Sequence, residues 1–262
     1  MNPMRKLLWL LLSCLLTPPL QGQTAEERGL EIAREADRRD SGFGDYLVEI
    51  DMLLRNRQGD ESRRLLRGRV MEVAGDGDKS MLVIDKPRDV EGTVLLTHTH
   101  KTKPDDLWLY LPALKRVKRI AARNKSGPFM GSEFAYEDLL SQEIEKYSYR
   151  FIRETRLDVV PVFLLERYPL DEYSGYGRQL AWINLVEYRP EKIEFYDHRN
   201  LLLKTLVLRG YRKYLGRYWR ADEMDMHNHQ TGKSTLLTWT GFRFRNGFSD
   251  ADFNRNALKR MK

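Results

Sequence analysis

The sequence contains almost no cysteine, and its only one, Cys14, lies near the amino terminus. It falls inside a segment with a basic start at Arg5 and Lys6, an apolar run over residues 7–16, and then prolines and small or polar residues. This order is typical of a secretory signal peptide, so we expect residues 1–25 to be removed. A mature chain without a thiol excludes disulfides, thiolate catalysis and cysteine–zinc sites.

A second interpretation of Cys14 is lipid attachment, because LLSC (residues 11–14) resembles a lipobox. The apolar run before the cysteine would then span only residues 7–12, which favours simple cleavage over lipidation. Long apolar runs are missing from the rest of the chain, where no stretch reaches the about 20 uncharged residues that cross a bilayer. We therefore expect an exported, soluble chain that begins near Thr24 to Glu27.

Blocks of charge of one sign are also missing. Loss of residues 1–25 lowers the formal net charge from +7 to +5, because the segment holds two basic residues and no acid. Acids and bases alternate in stretches such as READRRD, which is typical of a solvated surface. An exported chain without a recognition motif is not expected to bind nucleic acid. A basic surface that approaches anionic lipid headgroups is the second interpretation.

Catalytic motifs are missing as well. Ser132 in MGSEF lacks the G-x-S-x-G pattern of a nucleophile elbow. His98 and His100 are two residues apart, as are His227 and His229, so each pair would share a strand face and a metal-dependent hydrolase is one hypothesis. Unliganded histidines at strand ends explain the pattern equally simply, and we favour them. We expect a protein that is not an enzyme and uses no cofactor or metal.

What the sequence does contain is a long series of strand-like segments. One helical stretch is predicted over about Ala25 to Arg38, and from Tyr46 to Arg55 the apolar period changes to two, which is typical of a half-buried strand. Further such segments alternate with Gly- and Asp-rich turns, and SDADFNRNALKR favours a short terminal helix. About eleven strands joined by hairpins indicate an antiparallel meander and exclude a parallel α/β sheet.

Several predicted strands are apolar on both faces and need cover on both sides. In DLWLYL, Leu107 and Leu109 share one face, and Trp108 and Tyr110 share the other. The few predicted helices supply little cover, so the loop KSGPFMGSEFAYEDL (residues 125–139) must contribute. Its large apolar side chains either pack on the protein's own core or line a cavity for an apolar ligand.

Three long stretches resemble a known family: DLWLYLPALKRVKRIAARNKSGPFMGSEFAYEDL, KIEFYDHRNLLLKTLVLRGY and MHNHQTGKSTLLTW. Together with the closing FSDADFNRNALKR, they resemble the exported LolA-like, or outer-membrane lipoprotein-sorting, proteins. The resemblance covers nearly all of the mature chain. It implies a mainly β fold, an unclosed antiparallel β-barrel of about eleven strands with helices as a lid over a hydrophobic cavity, in a single domain over residues 26–262.

The same resemblance implies a function, a monomeric periplasmic carrier that binds acyl chains of lipids or lipoproteins and passes them toward the outer membrane. The alternative hypothesis is an adaptor without cargo that docks on an inner-membrane RND- or MMPL-type lipid exporter. Gly127 and Gly131 would let the loop move, and Trp108 or Tyr110 is expected to face the cavity. The candidate cavity and lid residues are Met52, Trp108, Tyr110, Phe129, Met130, Phe134 and Tyr136.

Overall fold

The computed structural model describes residues 22–259 of the chain. The predicted signal peptide lies almost entirely outside the described residues, so it stays a prediction. The one α-helix of the described range, α1 (Ala25–Asp40), begins where the sequence indicated and runs two residues further than expected. Its start is a capping box, in which Glu27 N donates to Thr24 Oγ1 at 3.1 Å and Thr24 N donates to Glu27 Oε2 at 2.9 Å.

The rest of the fold is built from β-strands, which make up 48% of the structure. In chain order they are β1 (Asp45–Arg55), β2 (Glu61–Met71), β3 (Lys79–Lys86), β4 (Val94–His98), β5 (Asp106–Leu111), β6 (Arg116–Ile120), β7 (Tyr147–Leu157), β8 (Val160–Pro169), β9 (Arg178–Asn184), β10 (Pro190–Tyr196), β11 (Leu202–Arg209), β12 (Arg212–Tyr214), β13 (Tyr218–Arg220), β14 (Glu223–Asn228) and β15 (Ser234–Phe244). Thirteen of them form one antiparallel sheet, and β12 and β13 form a separate ribbon.

The large sheet is open, as the family resemblance implied, and antiparallel, as the hairpin pattern predicted. Its order is β6-β5-β4-β3-β2-β1-β15-β14-β11-β10-β9-β8-β7, so β6 and β7 are its two edges. The strand number exceeds the expected eleven partly because residues 106–120 form two strands rather than one. A turn at Pro112–Leu114, followed by Lys115 in a left-handed conformation with φ 48°, separates β5 from β6.

One face of the sheet, called the inner face below, is covered by α1 and by the loop over residues 125–139. Ile32 of α1 belongs to the same buried cluster as Leu82 and Ile84 of β3. The helix lies very close to β7, since a Cβ on Gly29 would stand 2.8 Å from the backbone nitrogen of Phe151. Glycine is therefore required at that contact.

The opposite, outer face has its own cover over β3 to β5. Met81 and Val83 of β3 point there and pack with Phe253 and Leu258 near the carboxyl terminus. The predicted terminal helix is replaced by two short 3-10 turns, Asp250–Phe253 and Ala257–Lys259. Strands β3 to β5, which are apolar on both sides, thus have a packed partner on each face, as such strands require.

Candidate functional site

The loop over residues 125–139, called the plug loop below, is a tight hairpin rather than a loose flap. Phe129 N donates to Phe134 O at 2.8 Å, and the buried Ser132 hydroxyl donates to Phe129 O at 2.7 Å. The turn uses two left-handed residues, Met130 at φ 51° and Gly131 at φ 77°. Only glycine adopts such a conformation without strain, so the turn depends on Gly131.

The tip of the plug loop is buried in the protein's own core. Phe129 and Phe134 are only 1% and 2% exposed, and they belong to the inner-face cluster with Met52. Met130 and Tyr136 are half-buried at the edge of the same cluster. The structure therefore brings five of the seven predicted site residues together, with the two phenylalanines inside the core rather than at an open mouth.

Trp108 and Tyr110 do not join this group, which differs from the expectation that at least one of them lines one cavity with the loop residues. Alternation along β5 directs Leu107 and Leu109 to the inner cluster and the two aromatic rings to the outer one. There the Trp108 ring lies 5.0 Å from that of His98. The sequence established that the rings share a face, but the position of the carboxyl-terminal cover decides which face it is.

A buried polar cluster, which sequence reasoning missed, anchors the plug loop to the sheet. Lys204 of β11 donates through Nζ to Glu133 O at 2.8 Å and to the Tyr176 hydroxyl at 3.3 Å. Its Nζ also lies 3.9 Å from Asp138 Oδ2, and the side chains of Lys204 and Asp138 are 11% and 6% exposed. The signal was present in LLLKTLVL, where a single charged residue interrupts an apolar strand.

Asp138 is held by donors on two sides. Ala135 N donates to its Oδ2 at 2.7 Å, and the Tyr176 hydroxyl donates to its Oδ1 at 2.9 Å. Burial nevertheless raises the pKa of Asp138 to about 6, with the nearby Lys204 ammonium acting in the opposite direction. Burial also raises the pKa of Tyr176 well above its usual value, and the Asp138 carboxylate adds to that shift. Tyr176 is therefore a hydrogen-bond donor at neutral pH.

Glu133 connects the tip of the plug loop to two more strands. Asn228 Nδ2, at the end of β14, donates to Glu133 Oε2 at 2.7 Å. Glu133 N donates to Thr235 Oγ1 of β15 at 2.9 Å. The loop is thus fixed by apolar rings and by polar bonds that lie beside those rings.

The base of the plug loop has a separate anchor on the segment between β8 and β9. Lys125 Nζ lies 2.6 Å from Asp171 Oδ2. Glu137 accepts hydrogen bonds from the Ser174 hydroxyl at 2.7 Å and from Gly175 N at 2.8 Å. Any opening of the loop must break one or both of these sets of contacts.

The histidine pairs have other partners. His98 Nε2 lies 2.7 Å from Phe253 O, and His100 Nδ1 lies 2.7 Å from Asp76 Oδ2. The rings of His227 and His229 contact each other at 4.9 Å. Within residues 22–259, no three His, Cys, Asp or Glu side chains are placed to hold a metal ion. The metal-dependent hydrolase therefore has no geometric support there.

Comparison with known proteins defines the class to which this fold and site belong. A family model described as "uncharacterized protein" matches residues 76–260. An outer membrane lipoprotein-sorting protein domain from Vibrio parahaemolyticus is 54% identical, with a TM-score of 0.88 over 89% of this chain and 99% of that domain. The chain therefore belongs to the LolA-like family of outer-membrane lipoprotein-sorting proteins, as the sequence motifs indicated.

Two further solved structures support the same fold. A DUF1329 family protein from Desulfovibrio piger is 27% identical with a TM-score of 0.85, over 90% of this chain and 99% of that one. A LolA superfamily protein from Nitrosomonas europaea is 21% identical with a TM-score of 0.71, over 87% and 98% of the two chains. The second similarity concerns the fold alone. A comparison with curated proteins gives no match.

Proposed function

We propose that this protein is a periplasmic carrier that shields acyl chains of lipids or lipoproteins on the inner face of its open sheet and passes them toward the outer membrane. The observation that carries the proposal is the plug loop, whose Phe129 and Phe134 complete the inner core from a hairpin outside the sheet. A core completed by a removable hairpin can exchange that hairpin for another apolar group. Acyl chains would occupy the space that the two rings leave.

The energetics permit such an exchange. Burial of a phenylalanine side chain stabilises by about 1.5–3 kcal/mol, so withdrawal of both rings costs about 3–6 kcal/mol. Each acyl methylene removed from water contributes about 0.8 kcal/mol, so about four to eight methylenes offset the loss of the two rings. A single acyl chain of ordinary length is therefore sufficient to compete with the plug. Transfer then needs only a receiver that binds the chain more tightly.

The family and the amino-terminal sequence support the proposed location. The 54% identical relative is an outer membrane lipoprotein-sorting protein domain, and the predicted signal peptide would export this chain. In the range that the structure describes, no helix is long and apolar enough to cross a membrane. We propose that the mature protein acts as a monomer over residues 26–262, without catalysis.

A groove on the outer face favours a second candidate function, an adaptor of an inner-membrane RND- or MMPL-type exporter. Arg67, Arg69 and Arg243 line a shallow depression of about 180 Å³ together with Leu47 and Glu49. Arginine beside apolar surface is common at protein interfaces. A carrier would also need such a surface to receive its cargo, so the groove is compatible with both functions. The two functions differ in whether the inner face ever opens.

A disulfide that locks the plug loop distinguishes the two functions. A Cβ on Gly175 would lie 2.9 Å from Ser126 Cβ, and a small shift brings this to the 3.5–4.5 Å of a disulfide. A chain without the predicted signal peptide, which contains Cys14, has no other thiol, so Ser126→Cys with Gly175→Cys forms one defined bridge. We expect the reduced protein to take up a fluorescent fatty acid and the oxidised protein to lose most of that uptake.

The reduced double variant and the two single variants are the matched controls. Thermal melting of both redox forms checks that the bridge leaves the fold intact. Equal uptake by the locked and reduced forms would contradict a loop that opens at its base. No uptake by the wild-type protein, and no lipid in an organic extract of protein purified from the host periplasm, would favour the adaptor.

A further inference from the structure

Lys204 occupies an unusual place on the inner face. It lies in the same row of β11 as Leu206 and Leu208, which belong to the inner cluster, and it is only 8% exposed. A buried ammonium is costly unless it is paired, and an apolar residue at such a position is often equally stable or more so. Stability alone therefore gives no reason for a lysine there, whereas a charged ligand does.

The groups around Lys204 are divided by chemistry between the sheet and the plug loop. The sheet and the segment between β8 and β9 supply hydrogen-bond donors, namely the Lys204 ammonium and the Asn228 amide of the sheet and the Tyr176 hydroxyl of that segment. The plug loop supplies mainly acceptors, which are the Glu133 carboxylate and carbonyl and the Asp138 carboxylate. If the loop left, a group of buried donors with one positive charge would remain.

Each of these donors also has contacts outside the plug loop. Lys204 and Asn228 face each other directly in the ladder between β11 and β14. The Asn228 amide is oriented because its Oδ1 accepts from Gln230 N at 3.0 Å, which leaves Nδ2 free to point at Glu133. The Tyr176 ring packs on that of Phe195 at 4.7 Å between centroids. The Asn228 amide and the Tyr176 ring are therefore positioned for an acceptor partly by contacts that do not involve the loop.

The plug loop has the layout of an anionic amphiphile. The rings of Phe129 and Phe134 fill the apolar cluster, and the carboxylate of Glu133, the residue beside Phe134, enters the donor pocket. We propose that Lys204, Tyr176 and Asn228 form a subsite for the anionic headgroup of the cargo, a carboxylate or phosphate, and that the plug loop occupies this subsite as a built-in substitute ligand. This inference rests on the proposed carrier function.

The inference has a direct consequence for cargo selection. A neutral amphiphile can replace the phenylalanine rings but would leave the Lys204 ammonium without a partner. An anionic amphiphile replaces both parts of the plug. Since hydrogen bonds to charged groups are among the strongest in proteins, we expect about tenfold or greater preference for a fatty acid over the fatty alcohol of the same chain length.

The test compares dodecanoic acid, dodecyl phosphate and dodecanol as ligands of the wild-type protein, Lys204→Met and Lys192→Met. Lys192 is the matched control, because it lies on neighbouring β10 but pairs with Glu194 at 2.7 Å away from the plug loop. We expect Lys204→Met to lose the preference for both anionic ligands and to keep its affinity for dodecanol. Lys192→Met should behave like the wild-type protein.

The other possible results of this experiment contradict either the headgroup subsite or the carrier function. Equal affinity of the wild-type protein for dodecanoic acid and dodecanol, or a preference retained in Lys204→Met, overturns the headgroup subsite and leaves the carrier function standing. Binding of none of the three ligands contradicts the carrier function itself. Inorganic phosphate that binds as tightly as dodecyl phosphate would identify a site for a free anion and overturn a lipid headgroup. If Lys204→Met does not fold, Asn228→Ala removes one donor and should reduce the same preference.

Discussion

Phe129 and Met130 are neighbours in the sequence but differ in what they stabilise. Phe129 is 1% exposed within the inner cluster, whereas Met130 is half-buried at its edge. We expect Phe129→Ala to lower the free energy of unfolding by about 3–5 kcal/mol, because it creates a cavity in a packed core. Met130→Ala should cost much less. Denaturant unfolding of the two variants measures the difference, and equal costs would contradict the burial of the loop tip.

Two carboxyl groups with raised pKa values, those of Asp78 and Glu143, predict a pH dependence of stability. Burial raises the pKa of Asp78 to about 7, with Glu72 as a further cause, and burial raises the pKa of Glu143 to about 7, with Asp78 as a further cause. A raised carboxyl pKa means that the native state binds more protons than the unfolded state, so stability falls as pH rises from about 4 to 7. We expect Asp78→Asn to flatten this fall.

The control for that experiment is Glu91→Gln, a change at an exposed acid that does not contribute to either raised pKa. The measurement is the free energy of unfolding at several pH values between 4 and 8 for the wild-type protein and both variants. Glu91→Gln should keep the wild-type slope. An unchanged slope in Asp78→Asn would show that this carboxyl is not protonated in the native state over that range.

At the scale of elements, the carboxyl-terminal segment is a cover for the outer face rather than a tail. Phe253 and Leu258 are 1% and 0% exposed against Met81 and Val83 of β3. We expect the double change Phe253→Asp and Leu258→Asp to detach this segment, because buried unpaired charges are costly. Protease sensitivity after β15 and a lower melting temperature should follow, while Asn256→Asp, at an exposed site, should change neither.

Hydrogen exchange of the plug loop should respond to cargo. Its backbone is tied mainly by hydrogen bonds within the hairpin, such as Tyr136 N to Gly127 O at 3.0 Å. Strand amides of β1 are paired on both sides, with β2 and β15. We expect bound dodecanoic acid to speed hydrogen exchange in residues 125–139 and to slow it or leave it unchanged in β1. Slower exchange in the plug loop would mean that the cargo binds without displacing it.

At the scale of the whole molecule, the proposed function sets stability against cargo binding. The plug loop is buried on the inner face, so every contact that holds it there would compete with cargo. A weakened polar anchor should therefore lower stability and raise the affinity for a neutral apolar ligand at the same time. Glu133→Gln keeps the size of the side chain and removes its charge, and we expect it to melt at a lower temperature and to bind dodecanol more tightly. Equal affinity of Glu133→Gln and the wild-type protein for dodecanol would show that the polar anchor of the plug loop does not oppose ligand binding.

Much of this architecture follows from the sequence alone. Alternation with a period of two over residues such as Tyr46 to Arg55, together with turn chemistry between segments, determined an antiparallel, mainly β protein, because these are local properties of the chain. The capping residue Thr24 placed the start of α1 for the same reason. The family motifs indicated the open sheet. The scarcity of predicted helices indicated that residues 125–139 help to cover it.

Only the tertiary structure decided what lies on each face. Alternation shows that Trp108 and Tyr110 share a side, but the distant segment that holds Phe253 turns that side into the outer face. Lys204, Tyr176, Asn228 and Glu133 are far apart in sequence, and strand pairing with the return of the plug loop brings them together. Local patterns specify period and turns, whereas contacts between distant residues depend on the order of strands in the sheet, which period and turns do not encode.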